Sequence, residues 1–329
     1  MSQKTITIIG SLNTDLVTLT PRVPSGGETL TATSFSTGPG GKGANQAVAC
    51  ARLSRPKPTS STPPSSSITV KMLGAVGSDE FGPPLLNSMK ADGLDVSGVH
   101  VVSGQTTGVA VILVEESTGE NRILLNPGAN HHLQPSHFLT AESLGTPKPD
   151  LIIMQLEIPL PTVLQILKTA KEAGVDVLLN PAPAVKLPDE TYPSITHLIV
   201  NETEAAILTS RTMEEVEASD FSWDIVTSEL IAKGAKNVIV TLGSKGVFYV
   251  HVGMEKGVHV PAAEVEKVVD TTAAGDTWVG AYAVAQVGKG TGVVSEEDVK
   301  WACEASGRTV EKQGAQSAIP WADEVDKNI

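Results

Sequence analysis

Asp270 and Asp276 enclose a run of small residues, Thr271-Thr272-Ala273-Ala274-Gly275, and an apolar run at 278–287 follows directly. Small residues let a ligand approach the backbone closely. The unpaired N–H groups and the positive dipole end of a helix beginning there would attract anionic oxygens. A carboxylate beside an anion site is electrostatically costly. It therefore points to a metal ligand, or to a base that takes a proton from an attacking hydroxyl. The plainer alternative makes Asp276 the cap of the helix and Asp270 the end of a strand.

A second stretch has the same design. Residues 38–46 read Gly-Pro-Gly-Gly-Lys-Gly-Ala-Asn-Gln, and the apolar run 47–51 continues as a helix. This glycine-rich turn carries a cation, Lys42, and a carboxamide, Asn45. It is not a P-loop, because the P-loop spacing and the Ser/Thr after the lysine are missing. Two glycine-rich helix starts far apart in one chain fit a site that holds two ligands.

These turns need a frame to bring them together. Short apolar, β-rich runs at 6–9, 70–73, 151–154, 175–179, 197–200 and 238–241 alternate with helical patterns at 161–173, at 202–208 and from 276 onward. Such alternation predicts an α/β fold with a doubly wound, mostly parallel sheet flanked by helices, and with ligands at the C-terminal ends of its strands. Two Thr/Val/Ile-rich segments, 29–36 and 106–125, break the alternation. The second reads as a hairpin turning at 117–120, so both are expected in a small separate sheet drawn from about 15–37 and 100–125. Residues 54–67 are low-complexity, rich in Ser, Pro and Thr, and are expected to be a disordered surface insertion. Residues 220–229 show no pattern that assigns them to an element.

Composition sets limits on function. The chain has 329 residues, 40% hydrophobic but only 4% aromatic, which suits a Val/Ile/Leu/Ala core of the kind parallel sheets use. A net charge of −13 argues against nonspecific nucleic-acid binding, which needs clustered positive charge. Cys50 and Cys303 are the only cysteines and form no CxxC pair, so a structural zinc is not expected and a reducing compartment fits. A strand-like run from residue 5 leaves no room for a signal peptide, and no stretch approaches a membrane span. The expectation is a soluble, cytoplasmic protein with access to the nucleus.

From about residue 6 to residue 320 the chain resembles the ribokinase branch of the PfkB carbohydrate kinases. The resemblance rests on the two turns above together with Gly10-Ser11-Leu12-Asn13-Thr14-Asp15, Met154-Gln155-Leu156-Glu157, Asn180-Pro181-Ala182-Pro183-Ala184, Asn201-Glu202-Thr203-Glu204, Thr241-Leu242-Gly243-Ser244-Lys245-Gly246 and Lys312-Gln313-Gly314-Ala315-Gln316, all in the family's order. It implies a single kinase domain over 1–329 that phosphorylates D-ribose at O5 with ATP and Mg2+ or another divalent cation. Asp276 would be the base, with an anion hole of backbone N–H groups at Ala273, Ala274 and Gly275. The sugar positions would be Asn13, Asp15, Gly41, Lys42, Gly43, Asn45 and Glu157. The nucleotide positions would be Asn201, Glu204, Thr241, Leu242, Gly243, Ser244, Lys245, Gly246, Gly275 and Cys303. A monovalent cation, K+, would lie at Asp270, Thr272, Thr309, Lys312, Gly314 and Ala318. The small sheet would be a lid over the sugar and the surface of a homodimer. Bacterial members carry Arg, Ser and His where this chain has Lys312, Ala318 and Cys303.

Other readings differ in class. A kinase of the same fold could act on fructose, deoxyribose, adenosine or 2-keto-3-deoxygluconate, since selectivity can turn on one or two side chains. A non-catalytic ribose sensor would have had no need to keep Asp276, Lys42 and Glu157. An NAD-dependent dehydrogenase is disfavoured because no GxGxxG follows the first strand.

Overall fold

The computed structural model describes residues 3–58 and 66–325. Its strands are β1 (Lys4–Ile9), β2 (Asn13–Thr20), β3 (Ser34–Gly40), β4 (Ile68–Gly77), β5 (Asp95–Val102), β6 (Gly108–Glu115), β7 (Asn121–Asn126), β8 (Leu151–Met154), β9 (Asp176–Leu179), β10 (His197–Asn201), β11 (Asn237–Thr241), β12 (Val247–His251) and β13 (Val258–Val260). The α-helices are α1 (Lys42–Leu53), α2 (Gly82–Ala91), α3 (Leu160–Ala173), α4 (Glu202–Leu208), α5 (Met213–Glu217), α6 (Trp223–Ala232), α7 (Ala274–Lys289), α8 (Glu296–Val310) and α9 (Ala322–Val325).

The larger sheet has nine strands in the order β13-β12-β11-β10-β9-β8-β1-β4-β5. All neighbours are parallel except for β12, which runs antiparallel to both β11 and β13. Alternate residues of each central strand enter opposite layers of the core, as the two-residue period of a strand requires. Ile6, Ile8, Ile153, Ile199 and Ile239 pack against α1, α7 and α8. Ile9, Ile152, Met154, Leu198 and Val240 pack against α3, α4 and α6. Burial on both faces explains why these strands read as unbroken apolar runs.

The chain leaves β1 towards β4 and β5, then returns to the other side of β1 through β8. The β1/β8 boundary is therefore a topological switch point, where the two directions of winding leave a crevice at the strand ends. Gly10–Asn13 and Gln155–Glu157 follow these two strands and line that boundary.

A second sheet, in the order β3-β2-β6-β7, is separate from the first. The hairpin at 117–120 joins β6 to β7, with Gly119 at φ 72°. Residues 100–102, expected in this smaller sheet, instead end β5 on the edge of the large one. Residues 29–33 form no strand; β3 begins at Ser34. Of the low-complexity stretch, residues 59–65 lie outside the described residues. Of residues 220–229, which carry no readable pattern, 223–229 belong to α6. Its core face includes Thr227, whose hydroxyl donates to the Trp223 carbonyl (2.9 Å), so a polar residue interrupts the apolar period. Among the described residues no helix is long and apolar enough to cross a membrane.

Helices α1 and α7 pack backbone to backbone at Gly280. A Cβ there would overlap the Ala49 side chain and come within 3.0 Å of the Cys50 nitrogen. These two helices carry Lys42, Asn45 and Asp276, so their separation sets the geometry of the site. Gly280→Ala should lower stability by about 1–3 kcal/mol through overpacking, read from the urea midpoint at constant slope. An unchanged midpoint would mean that the helices can separate freely.

Candidate active site

The helix starts are stabilised in different ways. At α1, the Lys42 backbone N–H donates to Glu157 Oε2 (3.0 Å), the Gly43 N–H to Ser11 Oγ (3.2 Å) and the Ala44 N–H to the Ser11 carbonyl (2.9 Å). Ser11 in turn donates to Glu157 (2.6 Å), and Asn13 Nδ2 lies 3.5 Å from the same oxygen. Glycine is required here: Gly41 has φ 88°, and a Cβ on Gly43 would sit 2.5 Å from the Ser11 nitrogen. The donors of α1 are thus used inside the protein, and Glu157 caps a helix as well as facing the cleft.

The start of α7 is open. Its N-cap is Ala273, in the left-handed region at φ 59° and with no side-chain capping bond, so Asp276 is not the cap. Ala274 N–H is tied back to the Thr271 carbonyl (3.2 Å), which removes it from the expected anion hole. The N–H groups of Gly275 and Asp276 belong to the first turn, where the helix supplies no carbonyl partner. Asp276 itself is 8% exposed and its carboxylate accepts from two amides, Asn45 Nδ2 to Oδ2 (3.0 Å) and Gln46 Nε2 to Oδ1 (2.9 Å).

Carboxylates converge on this crevice. Burial alone would lower the Lys42 ammonium, but Asp276, Glu157 and Glu204 outweigh it and hold its pKa above the usual value. Asp15, on β2, has its carboxyl pushed up to about 7, first by burial and then by Glu157 and Asp276. Glu204 is raised chiefly by burial. It forms a capping box with Asn201 at the start of α4, its carboxylate accepting from the Asn201 N–H (2.9 Å) and side-chain amide (3.0 Å). Asn130, which no sequence signal marked, orients the first motif by bonding Leu12 N–H (2.9 Å) and Asn13 Oδ1 (2.8 Å).

Beside Gly275 opens a cavity of about 530 Å³, within the range of small-molecule sites. Of the residues expected at the nucleotide, Thr241, Gly243, Ser244, Gly246, Gly275 and Cys303 line it, together with Ala274 of the expected anion hole. Other expected nucleotide residues do not line it. Leu242 is in the core. Lys245 is exposed and paired with Glu202 at 2.8 Å, as a solvated turn residue would be. Asn201 and Glu204 stand outside this cavity. Sequence reasoning missed the apolar wall, which includes Val265, Val268 and Val310 together with Trp278, the last stacked on Tyr282 at 5.3 Å. Small apolar residues on loops and helix faces carry no motif that would mark them.

Hydrogen bonds join several of the expected cation positions. Asp270 accepts from Thr272 N–H (2.9 Å) and hydroxyl (2.6 Å), and from Gly314 N–H (2.9 Å), so it joins two loops rather than ending a strand. Thr309 Oγ1 contacts Thr277 Oγ1 (2.9 Å) and its carbonyl accepts from Lys312 N–H (3.1 Å), while Ala318 is buried. The Lys312 ammonium pairs with Glu324 at 3.2 Å. Among the described residues no cluster of three or more His, Cys, Asp or Glu could hold a metal. These positions offer carboxylate, hydroxyl and carbonyl oxygens, the donor type that hard cations take.

An acceptor-binding crevice, a buried carboxylate, an open helix start and a nucleotide-sized cavity in this order define a phosphotransferase-type site. The model of the pfkB family of carbohydrate kinases matches residues 3–322, and the chain belongs to that family. A ribokinase of Schizosaccharomyces pombe is 45% identical, with 98% of this chain and 96% of that protein covered. A deoxyribokinase of Salmonella typhi is 37% identical, with 98% of each covered. The structure of Arabidopsis thaliana ribokinase with ribose and ATP superposes with a TM-score of 0.83 at 31% identity, covering 99% of this chain and 98% of that one.

Asp15 makes stability depend on pH. Between 3.8 and about 7 the folded chain keeps a proton that the unfolded chain has released, so this group's contribution to stability falls as pH rises through that window. Asp15→Asn should therefore gain more over the parent at pH 8 than at pH 4 in urea denaturation. An equal offset at both would show that Asp15 ionises normally.

Proposed function

We propose that the chain is a ribokinase, transferring the γ-phosphoryl group of ATP to O5 of D-ribose to give ribose 5-phosphate and ADP. One observation carries this reading: Asp276 lies between the carboxylate- and amide-rich crevice and the open helix start that borders the nucleotide-sized cavity. A neutral polyol is best held by paired hydrogen bonds, and Asn13, Asp15, Lys42, Asn45 and Glu157 supply both donors and acceptors.

The steps follow from these positions. O5 attacks the γ-phosphorus, the bond to the β–γ bridging oxygen breaks with its electron pair leaving on ADP, and the O5 proton passes to Asp276. In a loose phosphoryl-transfer transition state the proton moves late, so an ordinary aspartate suffices. The N–H groups of Gly275 and Asp276, with the dipole of α7, stabilise charge on the phosphoryl oxygens. Lys42 adds positive charge on the sugar side. The adenine would rest against the apolar wall near Trp278 and Cys303. Divalent and monovalent cations, when bound, would add charge neutralisation at the phosphates and behind the anion site; Asp270, Thr272, Thr309, Lys312, Gly314 and Ala318 would hold the latter.

The smaller sheet is proposed as the lid over the sugar and as the homodimer surface. Its Phe35, Ile123, Leu124 and Leu125 are exposed. Successive strand residues face opposite sides, so apolar side chains are exposed on both faces of this sheet, and exposed apolar surface favours pairing. Sedimentation at micromolar concentration should give twice the chain mass, and Leu124→Asp should halve it. A cytoplasmic location is part of the same reading.

The test is ADP release with ATP, Mg2+ and a sugar panel, in Na+ and then in K+. Ribose should be preferred over deoxyribose, fructose and adenosine, with higher turnover in K+. A preference for deoxyribose would align the chain with its deoxyribokinase relative. In the same assay Asp276→Asn should lose about 10²–10⁴ in turnover while still binding ribose. Near-parental turnover would remove Asp276 as the base.

A further inference from the structure

Gln46, Gln155 and Asn180 are amides of the motifs with no role in the steps above. Gln46 and Gln155 are fully buried. Gln46 follows Asn45 on α1, so consecutive side chains reach the two oxygens of Asp276. The Nε2 group of Gln46 donates to Asp276 Oδ1 (2.9 Å) and to Asn180 Oδ1 (3.1 Å), and its Oε1 accepts from Gln155 Nε2 (2.6 Å).

Only one orientation of this amide satisfies its neighbours. Turned over, Gln46 would set its oxygen against two oxygen acceptors and its NH2 against the NH2 of Gln155. Asn180 cannot turn to accommodate it, because its own Nδ2 donates to the Ile199 carbonyl (3.0 Å) and lies 3.5 Å from Glu204 Oε2. The polarity of the row is therefore set by a backbone carbonyl of β10. Asn45 is held similarly, its Oδ1 accepting from Gln316 Nε2 (3.1 Å). Both amides thus present N–H to Asp276.

We infer that Gln46 is a positioning residue for Asp276: its orientation-locked amide holds the carboxylate at a fixed angle to the acceptor hydroxyl. The inference rests on the reading of Asp276 as the base. Hydrogen bonds to the charged form favour that form, and two donors from fixed directions stop the carboxylate from rotating. The other charged groups facing Asp276 are Lys42 of α1, Asp15 of β2 and Glu204 of α4. Two of these three titratable groups are carboxyls, which makes the neutral amide donors the main counterweight beside Lys42.

The test compares Gln46→Met, Gln46→Glu and Gln155→Met for kcat, for KM of ribose and ATP, and for the pH profile of kcat. Gln46→Met keeps length and loses the donor; kcat should fall about ten- to a hundredfold with both KM values within about threefold of the parent. Gln46→Glu sets a carboxyl group against Oδ1 and should move the acid limb of kcat up by about one pH unit or more. Gln155→Met, which does not touch Asp276, leaves Asn180 and Asp276 to fix the Gln46 amide and should keep kcat within about threefold of the parent. Parental kcat and an unmoved acid limb in the Gln46 variants, or a loss confined to the unfolding midpoint, would overturn the inference. If Gln46→Met does not fold, the acid limb of Gln46→Glu decides. Asp276→Asn run alongside separates the two readings. If it stays active, the base reading fails; if it is inactive while Gln46→Met is parental, only the positioning role fails.

Discussion

Carboxylates crowded into a partly buried cleft repel one another, and each must find compensation for its charge. Asp15, Glu157, Glu204 and Asp276 surround a single ammonium, that of Lys42. Glu157 is stabilised by the start of α1 and Glu204 by the start of α4. Asp276 is stabilised by the amides of Asn45 and Gln46. Asp15 responds differently, by holding its proton towards neutral pH. The chemistry of the site follows from this distribution: of its three helix starts, those of α1 and α4 are occupied by carboxylates, and that of α7 is where an incoming anion can bind.

That distribution depends on how closely the framework packs. Gly280 lets α7 lie against Ala49 and Cys50 of α1. The contact brings two successive side chains of α1 onto a carboxylate in the first turn of α7. The parallel sheet contributes the rest, since the ends of β1, β8, β9, β10 and β11 deliver Asn13, Glu157, Asn180, Asn201 and Thr241 to one edge. The crevice at the β1/β8 switch point gives those groups room.

Much of this was legible in the sequence. Local periodicity marked the strands and most helices, because burial on both faces leaves a continuous apolar run. The motifs marked the residues that line the site, because glycine, carboxylate and amide each answer a local demand for close approach, charge or paired hydrogen bonds. The failures were also physical. Thr227 concealed α6 by satisfying its own hydroxyl within the helix. The apolar wall of the nucleotide cavity carried no motif, since shape rather than chemistry defines it. Lys245 matched a motif yet turned to solvent, because Glu202 lay within reach.

The sequence by itself determined the fold class, the order in which the site residues arrive at strand ends, and the chemical types available there; all are properties of short stretches. Tertiary structure alone decided which group compensates which. Asn45 lies 231 residues from Asp276, Gln46 lies 134 from Asn180, and Lys42 lies 115 from Glu157. No local pattern could report that Glu157 caps α1, that Asp276 caps nothing, or that Asp15 holds its proton. Electrostatic energy depends on distance in space and on burial, and the chain acquires both only when it folds.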